Sequence, residues 1–214
     1  MKEKITCRCD NEFEVEIPEL SDIDQDNSVL EEIKNGNFLT YRCPECGLTL
    51  PLEFKTRIKW SKIPGNNNTI MLIPERDRMG FINGAVKNEK NDSVVIGFQE
   101  LLERITVIEN DLSVLTIESL KLLLLEKAAS SLPDKKPVIF FNSVVMNGNT
   151  KNLEFYIHGL KEKEVAKAMI PFSLYKEEDL KIKSGENPDY YGSFTVNGYI
   201  SVNNISFDED TDEE

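Results

Sequence analysis

Two pairs of cysteines are the residues of this chain whose type and spacing best fit a chemical task. The second pair lies in Cys43-Pro44-Glu45-Cys46-Gly47. Two intervening residues fold the chain into a tight turn that points both sulfurs at one spot, and proline and glycine suit the dihedral angles of such a turn. Backbone N–H groups of the turn can then face the thiolates and partly offset their charge. This segment therefore predicts half of a metal site.

The first pair, Cys7-Arg8-Cys9, has one intervening residue where the usual zinc knuckle has two. In an extended chain, residues i and i+2 project from the same face. Zinc–sulfur bonds of about 2.3 Å need sulfurs about 3.8 Å apart, and rotamer choice reaches that separation. Asp10 and Asn11 then supply the turn, because both tolerate left-handed backbone better than most residues. We expect a tighter knuckle here.

Together, Cys7, Cys9, Cys43 and Cys46 predict one structural Zn²⁺ per chain in a closed site of four thiolates. A redox or disulfide pair and inert thiols are the alternatives. A catalytic zinc would keep an open position and would usually involve histidine or a carboxylate. The only histidine, His158, lies over a hundred residues away in a predicted strand, and we interpret it as a half-buried strand residue.

No other group of polar residues forms a catalytic set. A Ser-His-Asp or Cys-His arrangement would need His158 together with a nucleophile that the sequence does not identify. There is no glycine-rich phosphate loop. The carboxylates of two predicted helices are interpreted as solvated helix faces rather than a catalytic pair; they are Glu100, Glu103, Glu109, Asp111 and Glu118. We therefore assign no catalytic and no cofactor-binding residue.

Trp60 is the only tryptophan and lies in a basic stretch with Arg57, Lys59 and Lys62. Such a ring can stack on a nucleobase, but in an acidic protein we expect it to cap a hydrophobic edge of a strand pair. The net charge of −13 repels phosphate backbones. It therefore argues against general binding to nucleic acid or to anionic membranes.

The acidic excess is partly concentrated in residues 208–214, which predict a solvated, disordered tail, with a basic partner as the alternative. No apolar signal core follows Met1. The apolar run Leu122 to Leu125, which no other apolar run exceeds, is too short to span a bilayer. We expect a cytoplasmic protein without membrane contact, in a compartment where thiols stay reduced.

Hydrophobic periodicity predicts the elements that position the cysteines. Alternation of apolar and acidic residues predicts a strand over 13–17, and an acidic loop follows over 19–27. A short helix is expected over 29–36, with Ser28 as its N-cap and Gly36 at its end. Further strands are predicted over 49–55, 57–63, 69–73 and 93–97, with a turn at 64–68 and a loop over 74–92.

Two longer helices are predicted over 99–110 and 113–130. Each has an apolar stripe, which we interpret as buried core, with a dimer surface as the alternative. The stripes consist of Leu101, Leu102, Ile105 and Ile108, and of Ile117, Leu120, Leu123 and Leu124.

The C-terminal part begins after a candidate linker at 132–137. It contains two predicted hairpins, the second with the favoured Asn197-Gly198 turn. The strands are predicted over 138–145, 153–158, 194–196 and 199–202, and two weak helices over 165–169 and 174–183.

These elements predict an α+β protein. It would consist of an N-terminal zinc-ribbon-like β module with a short inserted helix, a two-helix segment and a C-terminal α+β part with β-hairpins. The predicted domains are 1–130, with the zinc module at about 5–56, then 131–207, and then the acidic tail 208–214.

The N-terminal motifs resemble those of the CpXC family, a prokaryotic family with paired cysteine motifs. The resemblance covers roughly residues 1–130. It is carried by Ile5-Thr6-Cys7-Arg8-Cys9, Phe13-Glu14-Val15, Leu30-Glu31-Glu32-Ile33-Lys34-Asn35-Gly36 and Tyr41-Arg42-Cys43-Pro44-Glu45-Cys46-Gly47. The helical stretch Leu101 to Leu112, followed by Ile117, Glu118 and Lys121, is also similar. The first cysteine motif lacks the family's proline and is one residue short. The resemblance implies a conserved cysteine domain of uncharacterised function and supports a metal site.

The leading functional hypothesis is a non-enzymatic protein-binding or scaffold module whose partner is another protein, with a homodimer as the alternative. The first competing hypothesis is a transcription- or nucleic-acid-associated zinc ribbon, supported by the basic stretch around Trp60. The second is a metal-dependent or thiol-redox enzyme, which needs an open zinc site or a reactive Cys9 or Cys46.

Overall fold

The computed structural model describes residues 1–65, 67–131 and 136–205. The chain has the predicted α+β architecture and divides into two compact units, Met1–Leu102 and Glu103–Glu214. The predicted domain division near residue 130 stays a prediction. Residues 132–135 of the predicted linker and the acidic tail 208–214 lie outside the described residues. Within the described part of the chain, no helix is long and apolar enough to cross a membrane.

The first unit begins with an antiparallel hairpin of β1 (Lys2–Thr6) and β2 (Glu12–Glu16). Thr6 pairs with Glu12, so the first cysteine pair lies in the turn. Val15 and Ile17 are buried and the intervening glutamates are exposed, which confirms the predicted alternation.

The segment between the cysteine pairs is more ordered than predicted. The expected acidic loop contains β3 (Leu20–Asp22), which pairs in parallel with β6 (Thr56–Lys59). The short helix is present as α1 (Ser28–Lys34), with Leu30 and Ile33 buried. Its N-cap is Asn27 rather than Ser28, because the Asp26 carboxylate accepts the Ser28 N–H at 2.9 Å and already starts the turn.

A second hairpin, β4 (Thr40–Arg42) with β5 (Thr49–Pro51), carries the second cysteine pair in its turn. The strand predicted over 49–55 is therefore shorter than expected. In the first unit, β3, β6, β7 (Thr69–Ile73) and β8 (Ser93–Ile96) lie side by side in that order. Every residue of β7 is buried, as expected for the central strands of a covered sheet.

The predicted loop over residues 74–92 is wrong for residues 75–82, which are helical. A 3₁₀ turn (Glu75–Asp77) leads into α2 (Arg78–Ile82), whose Phe81 is 2% exposed. Because the segment has few apolar residues, hydrophobic periodicity does not predict this helix.

The two longer helices are confirmed as α3 (Gly97–Glu109) and α4 (Val114–Ser131). Asp111 adopts φ 54° and separates them. The apolar stripes are largely buried, since Leu101, Ile105, Ile117 and Leu120 are all at most 1% exposed. The core interpretation of these stripes is therefore confirmed for these four residues.

The second unit contains an antiparallel sheet in the order β11-β10-β9. Its strands are β9 (Val138–Asn147), β10 (Thr150–Lys161) and β11 (Glu164–Pro171). The helix predicted over 165–169 is wrong: Ala166, Ala168 and Ile170 alternate toward the core, whereas Val165 and Met169 are exposed. Two alanines favour a helix locally, but pairing with β10 decides the conformation.

The chain continues through α5 (Phe172–Ser184) and α6 (Pro188–Gly192) into a small hairpin of β12 (Thr195–Val196) and β13 (Tyr199–Ile200). Asn197 and Gly198 have φ values of 51° and 85°, as a two-residue hairpin turn with two positive φ angles requires. The predicted Asn-Gly hairpin is thus confirmed.

Candidate metal centre

The four cysteines that the sequence singles out converge in the first unit. Their Sγ atoms all lie within 4.8 Å of one another. Cys7 Sγ is 3.6 Å from Cys46 Sγ, and Cys9 Sγ is 3.7 Å from Cys43 Sγ. These separations are close to the roughly 3.8 Å between sulfurs that share one tetrahedral zinc. They exceed the S–S bond length of about 2.05 Å, and all four cysteines are free.

The first knuckle is shaped by backbone hydrogen bonds at the tip of the β1–β2 hairpin. The Cys7 N–H donates to the Asn11 carbonyl at 2.9 Å, and the Asp10 N–H donates to the Cys7 carbonyl at 2.9 Å. Asp10 has φ 63°, so the chain reverses through a left-handed residue directly after Cys9. The expected turn at Asp10 is confirmed, and it compensates for the missing residue between the two cysteines.

The second knuckle closes in the same way at the tip of the β4–β5 hairpin. The Cys43 N–H donates to the Leu48 carbonyl at 2.9 Å, and the Gly47 N–H donates to the Cys43 carbonyl at 3.0 Å. Gly47 has φ 73° and follows Cys46 as Asp10 follows Cys9. Each cysteine pair is therefore followed by one residue with positive φ, and the resulting turn directs both sulfurs toward the other pair.

The amides of the second knuckle favour a thiolate at its first cysteine. Hydrogen bonds from the backbone N–H groups of Cys46 and then of Glu45 lower the pKa of Cys43 to about 6, although burial opposes this shift. The Asn11 side chain adds a donor, with Nδ2 at 3.7 Å from Cys43 Sγ. The sequence argument foresaw the amides but missed Asn11, whose amide type beside a cysteine pair was the available signal.

In the β1–β2 hairpin, the proximity of the other sulfurs raises the pKa of Cys9. The Asn11 N–H lowers the pKa of Cys9, but the neighbouring Cys46 thiol, burial and the other two thiols together raise it to about 12. A cation between the sulfurs would remove this penalty, because it attracts the thiolates that otherwise repel one another.

Burial divides the four ligand candidates into two classes. Cys7 and Cys43 are 3% and 1% exposed, whereas Cys9 and Cys46 lie at the surface. One buried and one exposed sulfur come from each hairpin, so an ion at the centre would join both hairpin tips. The donor set of four thiols fits Zn²⁺ and other thiophilic ions.

Replacing Gly47 with alanine should weaken metal binding. A Cβ atom there would lie 3.3 Å from Arg42 Nη2, and the φ of 73° costs a non-glycine residue about 1–2 kcal/mol. Gly36→Ala is the matched control, because Gly36 has φ 70° with no atom within 4 Å of the added Cβ. We expect both variants to lower the melting temperature and only Gly47→Ala to lower zinc affinity, measured by competition with a chelator. Equal zinc affinities would contradict this.

The remaining sequence candidates lie elsewhere. His158 is exposed in β10 of the second unit, with its ring edge-to-face with Phe140 at 5.9 Å, so the half-buried interpretation is wrong. Trp60 is 6% exposed, and Lys62 Nζ lies 5.4 Å from its ring centroid. The ring therefore packs inside the first unit, as expected for a capping residue.

Two of the basic residues near Trp60 are neutralised by carboxylates. Arg57 forms a bidentate pair with Asp92, with nitrogen–oxygen distances of 2.7 and 2.8 Å. Lys59 Nζ lies 3.1 Å from Asp22 Oδ2. The basic stretch of the sequence is therefore mostly paired in the fold.

The interpretation of the helix carboxylates as solvated is wrong for Glu103 and Glu118, which are 6% and 5% exposed. Between them lies Lys121, itself 5% exposed, with Nζ 3.0 Å from Glu103 and 2.9 Å from Glu118. Glu103 also accepts the Phe141 N–H at 2.6 Å, and Glu118 the Val202 N–H at 2.8 Å. We call these three side chains the buried ion triad.

The sequence does not predict the buried ion triad, because charged side chains on helices are usually exposed to solvent. The available signal was a lysine between Leu120 and the longest leucine run of the chain, three residues after a glutamate. A cation in such an apolar stripe must be paired. Asp111, in contrast, is exposed as expected.

Two hairpins that each present a cysteine pair at the tip, with four sulfurs around one point, define a zinc-ribbon-like module. Residues 5–121, more than half of the chain, match the model of the CpXC protein family. The chain belongs to the CpXC family.

An uncharacterized protein of Treponema pallidum (strain Nichols) is 26% identical over 221 residues. The alignment covers 96% of this chain and 99% of that protein. Similarity to it therefore extends beyond residue 121, where the family match ends, through most of the second unit. No solved structure matches the chain.

Proposed function

We propose that the four thiolates bind one structural Zn²⁺ and that the protein is a non-enzymatic protein-binding module. The observation that carries the first part is the placement of four Sγ atoms within 4.8 Å of one another. Four thiolates complete a tetrahedral coordination sphere, so no position is left for water or substrate. The ion would then hold the tips of the two hairpins together.

The charge of such a site is compensated locally. Four thiolates on Zn²⁺ leave a formal charge of −2. The amides of Glu45 and Cys46 and the Asn11 side chain point at Cys43, where they offset part of this charge. A reducing compartment such as the bacterial cytoplasm would keep the thiols available, and a cytoplasmic location is part of this proposal.

The protein-binding part of the proposal is supported by the sheet of the second unit. Val165 and Met169 are each 50% exposed on the outer face of β11, an edge strand of that sheet. Four residues apart on one strand, they share a face. An edge strand also presents unpaired backbone groups, which suit a second protein. The partner is another protein, and a second copy of this chain is the alternative occupant.

The test uses the full zinc-loaded chain as bait, compared with a Val165→Lys/Met169→Lys double variant. A partner protein should be retained in near-stoichiometric amount by the wild type and lost from the variant, because two ammonium groups cannot be desolvated in an apolar contact. Leu180→Lys/Val196→Lys is the control, since these side chains are 68% and 40% exposed elsewhere in the second unit. Light scattering identifies a homodimer. Retention by both variants, or a monomer without any stoichiometric partner, contradicts the proposal.

A further inference from the structure

A groove of about 470 Å³ lies in the first unit, away from the cysteines. Its floor includes Arg57 of β6 and Met71 of β7, which are paired neighbours in the sheet. Its wall is the segment that follows α2, residues 85–92. The volume falls in the range of about 300–1,000 Å³ that is usual for small-molecule sites.

The guanidinium of Arg57 is held in a fixed orientation at this floor. Its Nε and Nη2 atoms donate to the two carboxylate oxygens of Asp92, at 2.7 and 2.8 Å. The Asp92 side chain is 2% exposed, so the supporting carboxylate is inaccessible to solvent, whereas the Arg57 side chain is 25% exposed. The third nitrogen, Nη1, has no hydrogen bond within the described residues. A fixed guanidinium with one free edge is suited to an anion.

The wall of the groove is held by specific hydrogen bonds. The Asn88 side chain donates to the Asp92 carbonyl at 2.8 Å and accepts the Asp92 N–H at 3.0 Å. Asn67 donates from its side chain to the Lys90 carbonyl. The Val86 N–H donates to the Gly80 carbonyl at 3.0 Å. These bonds position the segment before a ligand arrives, which reduces the entropy lost on binding.

Three lysines, Lys55, Lys87 and Lys90, surround the groove and are exposed. None of them forms an ion pair within the described residues. Asp77 and Glu89 also line the groove, so with the Arg57–Asp92 pair its side chains carry a net charge of +1 on a chain of net charge −13. A local excess of cations on an acidic protein attracts small anions, while the overall charge repels polyanions.

We propose that this groove binds a small organic phosphate, whose phosphate contacts Arg57, Lys87 and Lys90 and whose apolar part packs against Met71 and Val86. The guanidinium supplies a directed donor and the lysines supply mobile charges, which is a combination that phosphate groups favour. The side chains of Met71, Ala85 and Val86 give the groove an apolar portion that inorganic phosphate would not use.

Titration calorimetry of the full zinc-loaded chain with adenosine 5′-monophosphate and with inorganic phosphate tests the proposal. The wild type should bind the nucleotide at one site, more tightly than inorganic phosphate, with an affinity that falls as salt is added. Lys87→Ala/Lys90→Ala should weaken nucleotide binding at least tenfold. These two residues lie on an exposed segment, so the variant should keep its fold.

Lys2→Ala/Lys4→Ala is the matched control, because it removes the same charge from exposed positions on β1. Its nucleotide affinity should equal that of the wild type. Absence of saturable nucleotide binding by the wild type overturns the proposal. An equal loss of affinity in both double variants also overturns it, since the effect would then reflect net charge alone. These outcomes do not depend on the protein-binding role.

Discussion

Replacing Cys43 with serine should abolish stoichiometric zinc binding and unfold the zinc module. Cys43 is 1% exposed and has the pKa, about 6, of a sulfur prepared to bind as thiolate. A hydroxyl at this position is a poor zinc ligand and leaves three thiolates repelling one another. Structural zinc sites contribute about 10–16 kcal/mol in zinc-finger peptides, comparable with the whole stability of an ordinary domain. Elemental analysis and thermal melts, each before and after chelation, measure the effect.

Two further variants distinguish instability caused by loss of the metal from instability caused by disturbed packing. Val15→Thr places a hydroxyl at another buried position of the same module but leaves all four sulfurs, so it should keep one zinc per chain. Cys46→His replaces the sulfur with a nitrogen ligand at an exposed position and should keep more zinc than Cys46→Ser. Wild-type protein that contains no metal when purified in its folded state would refute the structural role. Rapid alkylation of Cys9 or Cys46 in the zinc-loaded protein would instead favour a reactive thiol.

The cysteine cluster could be predicted because its signal is local and chemically restrictive. Two short cysteine spacings, a Pro and Gly around one of them and an Asp-Asn after the other define two turns without reference to the rest of the chain. Only a few ligand chemistries fit four clustered thiols. The sequence predicts only one strand of each hairpin, the strand that follows each cysteine pair, whereas β1 and β4, which precede the pairs, are seen only in the structure.

Features that depend on distant residues could not be predicted in this way. Residues 165–169 look helical alone and become a strand because β10 is available for pairing. β3 forms inside an acidic loop because β6, some 35 residues later, supplies its hydrogen-bond partners. Arg57 belongs to a basic stretch in the sequence but pairs with Asp92 in the fold. Sequence separation, rather than weak local propensity, is the common cause.

Replacing Lys121 with methionine should destabilise the second unit by about 3–5 kcal/mol, because it leaves two carboxylates buried without their cation. Lys121 Nζ contacts Glu103 and Glu118, and both glutamates are held by backbone N–H groups, so neither can turn to water without breaking a hydrogen bond. Lys127→Met is the control on the same helix: Lys127 is exposed, and its loss should change stability by less than about 0.5 kcal/mol. Denaturant titration followed by circular dichroism measures both.

The loss in free energy of unfolding caused by Lys121→Met should grow as the pH rises. Burial raises the pKa of Glu103 to about 7 from 4.5, although the charge of Lys121 opposes this shift. The folded state therefore binds this proton more tightly than the unfolded state, and the contribution of Glu103 to stability falls as the pH rises from about 4.5 to about 7. Without the ammonium group, the ionised carboxylate is more costly still, so the variant loses more at pH 8 than at pH 5.5. A loss of stability that is constant over this range would mean that removing Lys121 does not raise the pKa of Glu103 further, contrary to the cost of burying an unpaired charge.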